Sequence, residues 1–372
     1  MSRFSHRYLL TTTLAFFTLF VSLVSAQEIP SRLSDETFWL MINDFSEEGG
    51  YFRSDNFVSN ETMFQYVIPE LKETTKPGGV YLGVGPDQNF TYILALQPKM
   101  AFIIDIRRQN MLQHLMYKAL IELSKDRAEF LSRLFARKRP ENLDPDAKGS
   151  ALLDTFYTVP NDRELLMENL DAIYKRLTEG HGFTLTPDDK NGIEYVLRSF
   201  FAGGLDLTYN GFNAGFGDRR MPSYAEMLVQ TDREGLNQSY LETEANFQAL
   251  KELQEKNLIV PLVGDFAGPK AIRTIAQYLK DRQAWVSAFY LSNVEQYLFQ
   301  QGDDWYRFYK NAGTLPIDST SIFIRSLFNG LAGSPTASFM RSLSLLSSIE
   351  QQVKAFEAGE ARTYYDVIQM SH

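Results

Sequence analysis

Polar residues with chemical uses stand just after short apolar runs: the turn Gly83-Val84-Gly85-Pro86-Asp87, then Asp105, Asp265 and Asn293. Gly83 and Gly85 permit a tight turn and a close backbone approach to a ligand, and a following helix N-terminus offers unpaired N–H donors. Asp87 or Asn89 is placed to cap that helix. In the diphosphate-binding fingerprint G-x-G-x-x-G a third glycine lets helix and strand pack closely, and here Gln88 holds that position. A turn that simply needs glycine accounts for the same pair. Asp105 follows the turn by about 20 residues, the spacing of a carboxylate that accepts hydrogen bonds from ribose hydroxyls. The structural alternative is an ion pair with Arg107 or Arg108.

Asn293 carries an amide suited to hydrogen-bonding a nucleophile. Tyr290 and Tyr297 suit an aromatic wall, or equally core positions with one wet end. The glycine and aromatic stretch Tyr209–Asp218 reads as a lid over a ligand or as an ordinary surface loop. Histidine adds little. Beyond the first 26 residues only His114, His181 and His372 occur, widely spaced, and His114 sits among apolar positions as a structural residue. No H-E-x-x-H, G-x-S-x-G, P-loop or paired-cysteine motif is present, so metalloprotease, serine-hydrolase and NTPase readings lack their marks.

The elements that must position these residues alternate in type. Short apolar runs at 80–84, 101–106, 258–263, 285–291 and 321–328 predict strands. Helix patterns lie between them: 89–96, 109–136, 240–256, a segment with Pro269 as its first helical residue, and Val294 onward. Phe339, Leu343, Leu346, Ile349, Val353 and Phe356 predict a terminal helix, and 36–43 and 60–71 predict helices before the first strand. Strand–helix alternation predicts an α/β fold with a doubly wound, mostly parallel sheet. In such a sheet ligands bind at the carboxyl ends of the strands. The organisation read from this pattern is a leader (1–26), an N-terminal helical segment (27–79), a first half of the core (80–136), a helical insertion and lid (137–239), and a second half with the C-terminal helix (240–372).

The leader has Arg3 and Arg7, an apolar run from Leu9 to Val24, and Val24-Ser25-Ala26 at a signal-peptidase position, which predicts export to a periplasmic or secreted location with the mature chain starting near Gln27. An uncleaved membrane anchor is the alternative, because the run approaches the roughly 20 apolar residues of a membrane span. Its removal leaves 35 lysines and arginines against 46 acids, a charge of −11 compared with −9 for the whole chain. That balance opposes nucleic acid and anionic membrane surfaces as partners, and leaves a small-molecule ligand as the expected one. The absence of cysteine fits an exported chain and excludes disulfides and thiolate zinc sites. The sequons at Asn60, Asn89 and Asn237 matter only where asparagine is glycosylated.

At this point the residues resemble the Rossmann-like, S-adenosylmethionine-dependent methyltransferase superfamily. Val80-Tyr81-Leu82-Gly83-Val84-Gly85 looks like its first motif, Asp105 like its ribose-binding acid, and Gly264-Asp265-Phe266 like the residues that meet the adenine amine. Ser292-Asn293-Val294-Glu295-Gln296-Tyr297 is similar in position to the fourth-strand motif beside the reacting methyl group. The mature chain as a whole resembles an uncharacterised bacterial family with this core. The resemblance implies S-adenosyl-L-methionine as cofactor, with Gly83, Gly85, Asp87, Asn89, Asp105, Asp265 and Phe266 binding it. It also implies Asn293, Tyr290 and Tyr297 as catalytic residues. A non-catalytic binding protein that keeps the fold, and an NAD-dependent oxidoreductase that uses the same turn and acid, are the competing expectations.

Overall fold

The computed structural model describes residues 28–141, 143–209, 221–328 and 342–372. The leader, the loop beyond Tyr209 up to Asp218, and Phe339 lie outside them. The apolar runs fold as strands: β1 (Val80–Gly83), β2 (Met100–Asp105), β3 (Ile259–Val263), β4 (Val286–Ser292) and β5 (Ile322–Phe328). Neighbours among these five pair in parallel. A sixth strand, β6 (Ser342–Ser348), pairs antiparallel with β5. The sheet order is β3-β2-β1-β4-β5-β6, so successive strands run outward on either side of the β1/β4 junction. Pro261, which cannot donate to a ladder, is tolerated because β3 lies at the edge.

β6 corrects the expected terminal helix. In Ser-Leu-Ser-Leu the alternate serines 342 and 344 are buried and Leu343 is exposed, a period-2 pattern that apolar spacing alone concealed. The helix begins only at Ile349, where Ser348 accepts a hydrogen bond from the Gln351 amide at 3.3 Å. The expected helix over 60–71 is also shorter. It is a 3-10 turn at Phe64–Val67 followed by an α-helix at Ile68–Thr74, because Pro69 is compatible with a helical start and not with a helix running through it. Pro269, unlike Pro69, is not the helical residue expected but precedes its helix, which spans Ala271–Lys280.

The pattern over 109–136 resolves into two helices, Arg108–Leu123 and Arg127–Phe135, with Asp126 capping the second. The first is buried all round from Asn110 to Glu122 instead of being amphipathic. It packs on β2 and β3 on one side, and the helix Pro187–Gly203 of the insertion lies against another. The insertion also holds helices at Gly149–Tyr157, Arg163–Lys175 and Tyr224–Leu228. One apolar cluster runs continuously through sheet, insertion and N-terminal helix Asp35–Phe45. Among the described residues no helix is long and apolar enough to cross a membrane.

Candidate functional site

The turn after β1 is shaped by one side chain. Asn89, in the first turn of the helix Gln88–Leu96, donates from Nδ2 to the carbonyls of Val84 (2.9 Å), Gly85 (3.2 Å) and Pro86 (2.7 Å). Its Oδ1 accepts from Tyr81 Oη at 2.9 Å. A Cβ at Gly83 would collide with that Oδ1, whereas Gly85 needs glycine for its left-handed φ of +80°. His114 Nε2 donates to the Gly85 carbonyl at 2.9 Å. Burial holds this imidazole neutral, its pKa lowered to about 4. Gly83, Asn89 and His114 are therefore supports of the turn and do not line a ligand space. Asp87 also departs from expectation. It makes no cap, is buried, and accepts from Tyr240 Oη at 2.8 Å, with Tyr224 Oη 2.9 Å beyond. Burial raises its pKa to about 6.

Asp105 ends β2 as predicted, and its partner is Arg107. Oδ1 accepts from the Arg107 amide (2.9 Å) and Nε (3.0 Å), and Oδ2 from Nη2 (2.8 Å). Burial opposes the guanidinium's charge, yet the facing carboxylate raises its pKa overall. Arg107 Nη1 donates to the carbonyls of Ser54 (3.2 Å) and Asp55. Arg108 faces the insertion, pairing with Asp189 at 2.7 Å.

A cleft of about 640 Å³ opens at the carboxyl ends of the strands, where the order reverses between β1 and β4. Gly85, Asp105, Asp265, Phe266, Asn293 and Tyr297 all line it. Asp265 is part-exposed, and among the described residues its one hydrogen bond is from the Ala267 amide to Oδ1, at 2.9 Å. Phe266 is 3% exposed and stacks on Phe308 with centroids 5.5 Å apart, so it shows the cleft an edge of the core. Tyr297 meets Phe52 edge-on at 5.3 Å. Tyr290 is not part of the wall. It is fully buried, and its Oη accepts from Gln88 Nε2 at 2.9 Å. Gln88 in turn lines the cleft, with Oε1 buried and without a partner among the described residues.

Sequence reasoning missed the segment before β1. Residues 51–61 cross the mouth of the sheet and bring Phe52, Arg53 and Glu61 into the lining. The segment is anchored where the Gly50 amide donates to the Ile106 carbonyl at 2.7 Å and the Glu47 amide to the Val263 carbonyl at 2.9 Å. It has no periodic pattern, and Glu61 was visible only as the middle of a sequon. Glu61 is 1% exposed and accepts from Ser292 Oγ and Ser326 Oγ. Burial raises its pKa above the usual carboxylate value. Ser292 has a left-handed φ of +54° at a register shift between β4 and β5, a conformation uncommon for serine and concentrated at functional sites. Of the sequon asparagines, Asn89 is fully buried and closed to a glycan in the folded chain. Among the described residues no group of three or more His, Asp or Glu side chains is arranged to hold a metal ion.

The family described as a domain of unknown function (DUF7790) matches residues 56–149 and 209–367. These stretches contain every strand of the sheet together with Glu61, Asp105, Asp265 and Asn293, and they leave out the insertion helices between 150 and 208. No curated protein matches the chain.

Proposed function

The chain belongs to the DUF7790 family, and from that premise we propose that its cleft binds an adenosyl-type small molecule on a doubly wound, Rossmann-like sheet. S-adenosyl-L-methionine is the ligand in this reading, and methyl transfer to an acceptor is the reaction. The observation that carries it is the convergence of Gly85, Asp105, Asp265 and Asn293 on one cleft at the strand-order reversal. That is where open α/β sheets hold nucleoside ligands.

The residues present fit such a molecule in most respects. A volume of about 640 Å³ falls within the range of small-molecule sites. The backbone at Gly85 lies open to the cleft, with only Gln88 Nε2 near its missing side chain, at 3.6 Å. Asp265 keeps Oδ2 for an adenine amine. Asp105 departs from the simple ribose clamp. Each carboxylate oxygen accepts about two hydrogen bonds, so Oδ1 is saturated by Arg107 and Oδ2 has room for one hydroxyl. Bound S-adenosyl-L-methionine supplies a methyl group already activated on sulfur. The chain's part is then proximity and orientation, with the Asn293 amide positioning a nucleophile at the end of β4.

The dinucleotide alternative is disfavoured by Gln88. Where the fingerprint needs a glycine for close approach, this side chain is 6% exposed and pinned to Tyr290. A second reading, an exported periplasmic or secreted protein that binds without transferring, is favoured by the leader, since S-adenosyl-L-methionine is a polar product of the cell interior. Calorimetry on protein starting at Gln27 tests both. S-adenosyl-L-methionine and S-adenosylhomocysteine are expected to bind, and NAD is not. No heat and no thermal shift with either adenosyl molecule at millimolar concentration removes the adenosyl reading, and binding without methyl loss in the presence of candidate acceptors selects the second.

A further inference from the structure

We propose that Glu61 is the counter-ion of a positively charged centre in the molecule that occupies the cleft. The inference rests on the adenosyl reading only in naming a sulfonium as that centre.

Among the described residues the buried glutamates are Glu61, Glu122 and Glu295. Glu122 faces Lys118 at 2.6 Å and Arg176 at 2.7 Å, and Glu295 faces Arg325 at 2.7 Å. Among the described residues no cation faces Glu61. Its contacts are the hydroxyls of Ser292 and Ser326, with Tyr290 alongside. Buried charges are ordinarily paired, so a carboxyl that lines the cleft with hydroxyls and with no cation among the described residues is one half of an ion pair. Each oxygen receives one serine hydrogen bond and the Tyr290 hydroxyl donates a third, which leaves about one of the carboxyl's four acceptor directions free. Two other buried acids without an ion pair are a contrast: Asp232 is satisfied by the Glu234 and Leu236 amides and by Gln238 Nε2, and Asp87 lines a space of about 10 Å³, large enough for a water and nothing more. The backbone at Ser292 is held in its left-handed conformation while its hydroxyl reaches Glu61.

The phenols packed against Glu61 stay neutral. Burial pushes the phenols of Tyr81, Tyr92 and Tyr290 well above their usual value. Asp105 is tied to Arg107, while Asp265 and Arg53 line the cleft. An arriving cation favours ionised Glu61, so below the free group's pKa binding expels a proton and affinity rises with pH. A neutral ligand of the same shape gains nothing.

S-adenosyl-L-methionine and S-adenosylhomocysteine differ in this charge, which makes their affinity ratio the readout. Calorimetry on the wild-type protein over a pH series is expected to show the ratio rising with pH to a plateau, by about tenfold for each unit by which the bound cation lowers the carboxyl's pKa. In Glu61→Gln the ratio is expected to be flat. In Ser292→Ala, which keeps the carboxyl but removes a donor to its ionised form, the midpoint is expected to move to higher pH. A flat ratio in the wild type while both molecules bind overturns the counter-ion role and leaves the adenosyl reading intact. If neither molecule binds, trimethylsulfonium is the probe. A pH-dependent thermal shift that Glu61→Gln abolishes upholds the counter-ion and drops the adenosyl reading, and no shift drops both.

Discussion

Removing Asp105 strands the Arg107 guanidinium in a place where both partners are more than nine-tenths buried. A buried charge deprived of its partner costs about 3–5 kcal/mol. Denaturant unfolding of Asp105→Ala without ligand is expected to show a loss of that size, and weakened binding in this variant reports on the fold before it reports on a ribose. Asp87 gives a different signature. Its folded pKa of about 6 lies above the ordinary 3.8, so the carboxyl stabilises the fold below about pH 4, and that contribution is lost as pH rises through 6. The shift corresponds to about 3 kcal/mol. Asp87→Asn, which keeps an acceptor for Tyr240, is expected to be more stable than wild type at pH 8, with the difference fading toward pH 4, as read by unfolding curves across that range.

At the scale of elements, the helix Ala271–Lys280 starts without a cap of its own. Glu47 supplies one from across the sheet edge, where Oε1 accepts the amides of Lys270 (3.0 Å) and Ala271 (2.6 Å). Glu47→Ala is expected to lower stability by about 1 kcal/mol in thermal or denaturant unfolding, the usual loss for a missing cap. The same contrast between local and distant causes decides what the sequence discloses. The parallel strands were legible because unbroken apolar runs ended in glycine or a polar residue, and the turn at Gly83–Gly85 and the acid at Asp105 followed from them. β6 was not legible, because Leu343, Leu346 and Ile349 share a spacing that suits a helix as well as a strand. Nothing local marks residues 46–63 either, since their place is fixed by bonds to Ile106 and Val263. Glu61 stayed hidden for that reason, as did the diversion of Asp87 toward Tyr240.

At the scale of the molecule, the insertion is part of the core. His181 sits between Asp35 (2.7 Å) and Glu122 (2.6 Å), and so links the insertion to the first helix and to the long helix behind the sheet. The cleft depends on still more distant partners, because the contacts of Glu61 with Ser292 and Ser326 span 231 and 265 residues. Contacts this far apart close late. Pulse-labelling hydrogen exchange during refolding is expected to protect the amides of β1 and β2 before those of Glu47 and Gly50. For a chain being made from its amino terminus, the order has a further meaning. The acid on the cleft floor emerges early from the ribosome and waits, solvated, until the polypeptide has been translated past Ser326. The part of the cleft wall built from Glu61, Ser292 and Ser326 is therefore complete only in a nearly finished molecule.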